Sequence, residues 1–324
     1  MNPVERAKSL PPVTVLMPVH NGERYLSTAI ESVLAQTHDD FEFLILDDGS
    51  TDGTQRTLAR YAAADDRIRI VRQRNRDQPV TLNRGLELAR HEWIAILDHD
   101  DVCEPERLKR QLEVLAREPM ARVIGTWAVE IDSEGRTIGR RAIGPTTTES
   151  FLEMRATGRR VPLVHPSVLM HGPTILELGG YDPLFGPAAD TELWTRVAHD
   201  HVIVVVPEPL IRYRIHRQSM SFERLFEQRA MLRLIMARDD ARRRSEPIPT
   251  LEEFQADRPL WSARRWSDIK HDLFWYLRSH CLLSASEGSR ISAAAFAVCA
   301  AAASPSNALR LIQRHARARG APSR

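Results

Sequence analysis

Trp93-Ile94-Ala95-Ile96-Leu97-Asp98-His99-Asp100-Asp101 runs five apolar residues directly into an acidic cluster. A short apolar run that stops at a turn signal predicts a buried strand, with the acids marking where it leaves the core. Towards the N-terminus, Pro79 to Arg90 predicts a helix, and Arg67 to Val71 alternates charged and apolar residues as a half-buried strand does. Phe41 to Leu46 predicts another buried strand, again ending in acids, Asp47-Asp48-Gly49-Ser50. Thr51-Asp52-Gly53-Thr54 then supplies the Asp and Thr that favour a helix N-cap. Gly22 to Gln36 sets Tyr25, Leu26, Ala29, Ile30, Val33 and Leu34 on one helix face, and Val13 to Met17 is an apolar run halted by Pro18. This alternation predicts an α/β fold, a mostly parallel sheet flanked by helices. Ligands of such sheets sit beyond the carboxyl ends of the strands, so the two acidic turns are predicted to share one crevice although about fifty residues separate them.

Towards the C-terminus, Pro105 stands at a favourable first helical position for a helix to Glu118. Val123 to Ile131 and Thr137 to Ala142 predict a hairpin around Asp132-Ser133-Glu134-Gly135. Pro173 to Leu178 predicts a short helix closed by Gly179-Gly180, Asp190 to His199 another helix, and Val202 to Val206 and Leu210 to His216 two strands. From about Ser221 long arginine-rich helical patterns take over. The expected division is an α/β domain over residues 1–220 and a helical C-terminal extension over 221–324, with a linker at Arg242 to Pro249.

The 324 residues are 43% hydrophobic and 27% charged, the balance of a globular chain that buries a sizeable core. A formal charge of +2 gives no reason to expect nucleic acid. Cys103, Cys281 and Cys299 form neither a metal-ligand spacing nor a disulfide framework, which fits a reducing cytoplasmic compartment. Met1 to Pro12 has no apolar leader. The longest apolar run, Ile291 to Ala303, is about 13 residues, short of the roughly 20 that span a bilayer.

Asp98 and Asp100 are two apart, which at a strand end would point both carboxylates to one side. Like charges there repel unless a cation or donor satisfies them. Mg²⁺ and Mn²⁺ commonly take one or two carboxylates plus phosphate oxygens, so a diphosphate is the implied partner. On spacing alone, a solvated turn capping the next helix explains the same residues.

Context adds to the acidic pair. Val19-His20-Asn21-Gly22, Glu31 to Thr37, Leu46-Asp47-Asp48-Gly49-Ser50-Thr51-Asp52-Gly53-Thr54 and Leu97-Asp98-His99-Asp100-Asp101 resemble, in order and separation, the blocks of family 2 glycosyltransferases of the GT-A fold. The resemblance covers roughly residues 12–218. It implies an enzyme of the hexosyl- and glycosyltransferase class (EC 2.4) acting in polysaccharide or cell-envelope biosynthesis. Pro18, Val19, His20 and Asn21 would line the nucleotide pocket, Asp47 would contact base or ribose, and Asp48 would support that turn. Asp98 would face ribose or metal, and Asp100 would bind Mn²⁺ or Mg²⁺ directly, with Asp101 behind it. Arg84, in Leu82-Asn83-Arg84-Gly85, falls either near the nucleotide or on an exposed helix face. His99 receives no role.

Displacing a nucleoside diphosphate needs charge neutralised on the leaving group and a base for the acceptor hydroxyl. The family places that base in an acidic pair at a helix start, followed by Leu-Trp. Asp190 in Ala189-Asp190-Thr191-Glu192-Leu193-Trp194 matches the base, while Ala189 replaces the usual preceding acid. An Asp at a helix start also serves as a simple N-cap. His216 in Tyr213-Arg214-Ile215-His216 matches a late block whose imidazole would join the metal or the phosphates, or be structural. Arg212 and Arg214 are either diphosphate contacts or an exposed face. His165, Glu192 and Trp194 are placed on the acceptor side.

The implied donor is an NDP-sugar, UDP favoured over dTDP and GDP, and the implied acceptor a glycan or lipid-linked hydroxyl. One sugar is transferred, with inversion. A nucleotide-sugar-binding protein that has lost turnover is the alternative. There is no G-x-G-x-x-G after the first strand and no P-loop, which sets aside dinucleotide oxidoreductases and P-loop phosphotransferases. A processive synthase would bring Q-x-x-R-W, and Arg264-Arg265-Trp266 lacks its glutamine. In the tail, Trp261, Trp266, Trp275 and Tyr276 are expected to pack helices. Beyond Glu287 there is no acid, while Arg290, Arg310, Arg314, Arg317, Arg319 and Arg324 are basic. That pattern fits a peripheral helix on the inner face of the membrane or a solvated terminal helix.

Overall fold

The computed structural model describes residues 10–257, 263–286, 288–304 and 307. They form two compact units, Met1–Arg214 and Ile215–Arg324.

In the first unit, β1 (Val13–Val19) lies between β2 (Phe41–Asp48) and β4 (Trp93–Ile96), and β3 (Ile68–Gln73) flanks β2. All of these pairs are parallel. β1, β2 and β4 are buried along their whole length, the reason they read as unbroken apolar runs. The crossovers are α1 (Leu26–Leu34), α2 (Thr54–Ala62) and α3 (Gln78–Leu88). α1 buries Leu26, Ala29, Ile30 and Val33 on one face of the sheet, while Gly85 of α3 lets the other face approach, since a Cβ there would stand 2.4 Å from Leu16. β1 continues through Pro18, where the sequence predicted a stop. Pro18 lies opposite Leu46, near the carboxyl end where the ladder finishes.

The second half of the sheet mixes directions. β5 (Val102–Cys103), α4 (Arg107–Arg117), β6 (Ala121–Ile131), β7 (Thr137–Arg141), α5 (Thr148–Ala156), β8 (Leu169–His171), α6 (Gly172–Glu177), α7 (Ala189–Asp200) and β9 (Val202–Arg214) follow in order. Among the described residues the sheet runs β3-β2-β1-β4-β8-β6-β9-β5, with β7 on β6. β8 joins β4 and β6 antiparallel, β6–β7 is the expected hairpin, and β6 and β9 pair in parallel. The two strands expected between Val202 and His216 are one. Pro207 and Glu208 fall in a register shift, with Val206 opposite Thr126 and Pro209 opposite Trp127, so the prolines sit where the ladder is already interrupted. β9 ends at Arg214, short of His216. Arg107 is 1% exposed and donates to the carbonyls of Ile96 (2.8 Å) and Val168 (3.1 Å), satisfying both strands where β4 gives way to the acidic turn.

The second unit holds α8 (Met220–Glu223), α9 (Leu225–Arg243), α10 (Leu251–Ala256), α11 (Ala263–Ser286) and α12 (Arg290–Ala303). Arg233 of α9 makes a bidentate pair with buried Asp272 of α11 at 2.7 and 2.9 Å. Trp275 receives the guanidiniums of Arg229 and Arg278, and Tyr276 stacks on Phe226 at 5.4 Å, so both serve helix packing. Trp266 is 57% exposed and departs from that expectation. Trp261 and the basic stretch from Leu309 onward lie outside the described residues. No helix among the described residues is long and apolar enough to cross a membrane.

Candidate active site

The carboxyl ends of β1 and β2 are laced together. The ring Nδ1 of His20 donates to the Asp48 carbonyl (2.9 Å), leaving Nε2 to accept from Asn21 and Asn75, both at 3.2 Å. Asn21 has φ of 51°, a left-handed conformation that asparagine tolerates by bonding locally. Its backbone N–H donates to Ser50 Oγ (3.0 Å), and its side-chain oxygen accepts the N–H of Thr51 (2.8 Å). Gly22 N–H reaches Thr54 Oγ1 at 2.9 Å. Pro18 and Val19 are buried beneath this loop, and His20 and Asn21 are exposed on it.

Asp47 and Asp48 divide the work of the β2 end. Asp48 Oδ1 accepts from Gln73 Nε2 (2.7 Å) and the Arg76 N–H (2.9 Å), so it ties β2 to the end of β3. Gly49 turns the chain with φ of 77°, which L side chains rarely adopt. Asp47 is 1% exposed; Oδ1 caps the Ser50 N–H at 3.0 Å. Asp47 Oδ2 is buried without a hydrogen bond, with Arg72 Nε 3.7 Å away. A buried carboxylate oxygen in that state is costly unless a ligand donor meets it. Arg84 is exposed and donates to Gln73 Oε1 (2.7 Å), reaching Asp48 through one glutamine.

β4 stops at Ile96, and residues 98–101 form a turn closed by the Asp101 N–H on the Asp98 carbonyl (3.2 Å). The strand-alternation argument for Asp98 and Asp100 therefore does not apply; the turn brings them together. Burial, then Asp100, then Asp190 push the Asp98 carboxyl up to about 8. Asp101 is held well above the usual carboxylate range by burial and by both neighbouring acids. Its Oδ1 accepts the Arg214 N–H at 2.7 Å and its Oδ2 is buried without a partner. Acids that raise one another's pKa repel, and a cation between them would relieve that repulsion. Among the described residues no three His, Cys, Asp or Glu converge as a cage, and a hard divalent ion bound by one or two carboxylates and substrate phosphate does not need one. The donor set fits Mn²⁺ or Mg²⁺.

Asp190 comes to the same place from the other half of the sheet. It is the second residue of α7, inside the first turn rather than at the N-cap, which is Ala188. Its Oδ1 accepts the Thr191 N–H (2.6 Å). Asp190 acts electrostatically on Asp98, His165 and Tyr181, which puts all four in one neighbourhood. The rings of His165, Tyr181 and Trp194 cluster with centroids 5.6 to 6.3 Å apart. Both ring nitrogens of His165 and Trp194 Nε1 are buried without hydrogen bonds, and burial lowers the His165 pKa, so that imidazole is neutral. Ala189 is 3% exposed and faces the core.

Glu192, Arg212 and Arg214 are engaged with other partners. Glu192 pairs with Arg196, Oε2 to NH2 at 2.6 Å, and Arg196 also holds the carbonyls of Leu178 and Gly180 (2.7 Å for the latter). Arg212 is exposed and paired with Glu104 at 2.9 Å, while Arg214 is 7% exposed, so neither stands free for phosphate. His216 belongs to the second unit and its carbonyl accepts from Ser219. Sequence reasoning missed Gln73 and Asn83. Gln73 ends a parallel strand, the same signal that exposed Asp47. Asn83 Nδ2 donates to the Tyr181 carbonyl (2.8 Å) and its Oδ1 accepts the Tyr181 N–H (2.7 Å), across 98 residues of sequence.

The family profile described as Glycosyl transferase family 2 matches residues 14–170. An uncharacterized glycosyltransferase of Methanocaldococcus jannaschii, MJ1057, is 30% identical over 68% of this chain and 76% of its own length. The chain spans 66% of one further curated relative and 37 to 44% of three others. Among solved structures, S. aureus TarS 1–349 in complex with UDP-GlcNAc is similar with a TM-score of 0.55 at 14% identity, covering 90% of this chain and 91% of that one. A mannosyltransferase from Pyrobaculum calidifontis in complex with GDP-Man and Mn²⁺ is similar with a TM-score of 0.55 at 18% identity, covering 95% of this chain and 80% of that one. With the acidic turn, the laced strand ends and the GT-A sheet in hand, the chain belongs to family 2 of the glycosyltransferases.

Proposed function

We propose that the protein transfers one sugar from a nucleoside diphosphate sugar to a hydroxyl of a glycan or lipid-linked acceptor in polysaccharide or cell-envelope biosynthesis, with inversion. The observation that supports this most is the convergence of Asp190 with Asp98 and Asp100 from opposite halves of the sheet. Asp47 and the loop Pro18–Asn21 hold the nucleoside, and Arg84 with Gln73 and Asp48 fixes that rim. Asp100, with Asp98, would hold Mn²⁺ or Mg²⁺, which would supply positive charge for a leaving diphosphate. Asp190 takes the acceptor O–H proton as that oxygen bonds to the anomeric carbon, and the carbon–phosphate-oxygen bond breaks with its electrons leaving on the nucleoside diphosphate. His165 and Trp194 border the sugar and acceptor, their unsatisfied nitrogens suited to hydroxyls. UDP- and GDP-sugars are the first donors to test, given the ligands named for the two structural relatives. The acid-free basic tail suits an anionic membrane surface and a lipid-linked acceptor.

The test compares wild type, Asp190→Asn and Asp100→Ala for donor turnover and for thermal stabilisation by UDP- and GDP-sugars with and without Mn²⁺. Asp190→Asn is expected to keep donor binding and lose about 10²- to 10⁴-fold in rate, the range of a general base. Asp100→Ala is expected to lose the Mn²⁺-dependent part of both. A wild-type rate in Asp190→Asn would remove Asp190 from the mechanism. Ala189, where an acid is usual, supports one alternative, a nucleotide-sugar-binding protein without turnover; wild-type stabilisation by donor with neither hydrolysis nor transfer would select it.

A further inference from the structure

Arg214 ends β9 almost fully buried, and its guanidinium bonds backbone carbonyls rather than a carboxylate. Nε donates to the Asp100 carbonyl at 2.7 Å, and NH1 donates to the carbonyls of Asp132 (2.9 Å) and Ser133 (3.3 Å) in the β6–β7 turn. Its own backbone N–H holds Asp101 Oδ1. Its guanidinium carbon lies 4.4 Å from the ring centroid of Tyr25, the residue that leads into α1 just after the nucleotide loop. Three segments therefore meet on one planar cation: the acidic turn, the hairpin turn and the start of α1. A guanidinium presents its donors in a rigid fork, so two carbonyls bound to different nitrogens are held at a fixed separation. Fixing the Asp100 carbonyl fixes its peptide plane, and with it the direction from which the Asp100 carboxylate leaves the chain.

We propose that Arg214 is a positioning residue for the divalent-cation site, setting the Asp100 carboxylate through its backbone and coupling that turn to Asp132–Gly135. The inference rests on the assignment of Asp100 to the metal. Arg214 is also well placed to be probed from outside, because it borders a cleft of about 650 Å³ lined by Arg24, Tyr25, Glu134 and Arg212.

The readout is Mn²⁺ binding to the full chain with UDP or GDP present, followed by electron paramagnetic resonance. Arg214→Lys keeps the charge and the backbone bond to Asp101 but cannot supply the fork. Its Mn²⁺ affinity is expected to fall by roughly 10- to 100-fold, as it does when partners behind a metal ligand are lost. Arg214→Ala is expected to fall at least as far and to recover in part with millimolar guanidinium entering by the cleft. A purely structural role would lower thermal stability without guanidinium-dependent recovery of Mn²⁺ affinity. Hydrogen exchange on the wild type needs no variant: Mn²⁺ with nucleotide is expected to protect amides of residues 132–135 together with 98–101. Wild-type Mn²⁺ affinity in a folded Arg214→Lys, or protection confined to 98–101 in the wild type, overturns the proposal. No Mn²⁺ binding by the wild type with either nucleotide would instead defeat the metal assignment itself.

Discussion

Replacing Asn83 by alanine removes both hydrogen bonds that hold the Tyr181 backbone to α3. Tyr181 is 1% exposed, and its N–H and C=O meet the two ends of the Asn83 amide at 2.7 and 2.8 Å. The preceding Gly180 has φ of 66° and packs so closely that a Cβ there would stand 2.4 Å from Asn83 Oδ1. Each buried backbone group left unsatisfied costs about 1–3 kcal/mol, and the space opened beside Gly180 lets water recover part of that, so the pair is worth roughly 2–4 kcal/mol. For a domain of roughly 150–250 residues each kcal/mol shifts Tm by about 2–4 °C, so a fall of roughly 4–16 °C is expected by calorimetry. The effect reaches further than stability. Tyr181 leads through Pro183–Ala188 into α7 and Asp190, and a misplacement of about 1 Å in a reacting group costs on the order of 10²-fold in rate. Donor binding, proposed above at the ends of β1, β2 and β3, should be preserved. Asn83→Asp keeps the acceptor for the Tyr181 N–H but sets a carboxylate against the Tyr181 carbonyl, and should be no better than alanine. An Asn83→Ala protein with unchanged Tm and kcat would refute the clamp.

Asp98 has a folded-state carboxyl near 8, above the ordinary Asp value of about 4 for an unfolded chain, so the metal-free fold binds the extra proton and loses stability as pH rises between these values. Stabilisation by Mn²⁺, read as a Tm increment, is therefore expected to grow from pH 5.5 to pH 8, and a flat increment would contradict it. Asp47→Asn should leave stability nearly unchanged, since Oδ1 still caps Ser50, but weaken UDP or GDP binding by roughly 1.5–3 kcal/mol as a charged hydrogen bond is lost, measurable by calorimetric titration. Arg107→Met strips the Ile96 carbonyl of its guanidinium donor and leaves the Val168 carbonyl with the Ile96 N–H alone, and is expected to cost about 1–3 kcal/mol in urea unfolding. Part of that loss is offset because a guanidinium whose pKa burial pushes down to about 10 is no longer enclosed. An unfolding midpoint equal to the wild type would show those carbonyls are satisfied otherwise.

β1, β2 and β4 were readable because they are buried on both faces and announce themselves as apolar runs, each followed by polar residues at its carboxyl end, where ligands of such sheets generally sit. Asp47, Asp48 and Asp98 to Asp101 were found by that rule, and Gln73 obeys it too but ends a strand whose alternating charges drew attention elsewhere. The two prolines of β9 hid its continuity, since proline normally argues against a strand interior and only the pairing with β6 shows the ladder already broken there. Asn83 with Tyr181, Arg196 with Gly180, and Arg214 with Asp100 are side chains spent on backbone groups. Nothing in one sequence marks which distant peptide a polar side chain will bond, so these supports were invisible while the residues they support were not.

The bond from Arg214 to the Asp100 carbonyl joins residues 114 apart in the chain. The loops proposed above for the nucleotide follow β1 and β2, so they can assemble while the N-terminal hundred residues emerge from a ribosome. The acidic turn has its own residues by then but lacks its clamp. At synthesis rates of about 5–20 residues per second, Arg214 follows roughly 6–23 s behind Asp100. During that interval a nascent chain would have its β1 and β2 loops formed and its acidic turn slack, and on the proposed function any cation binding there would await β9.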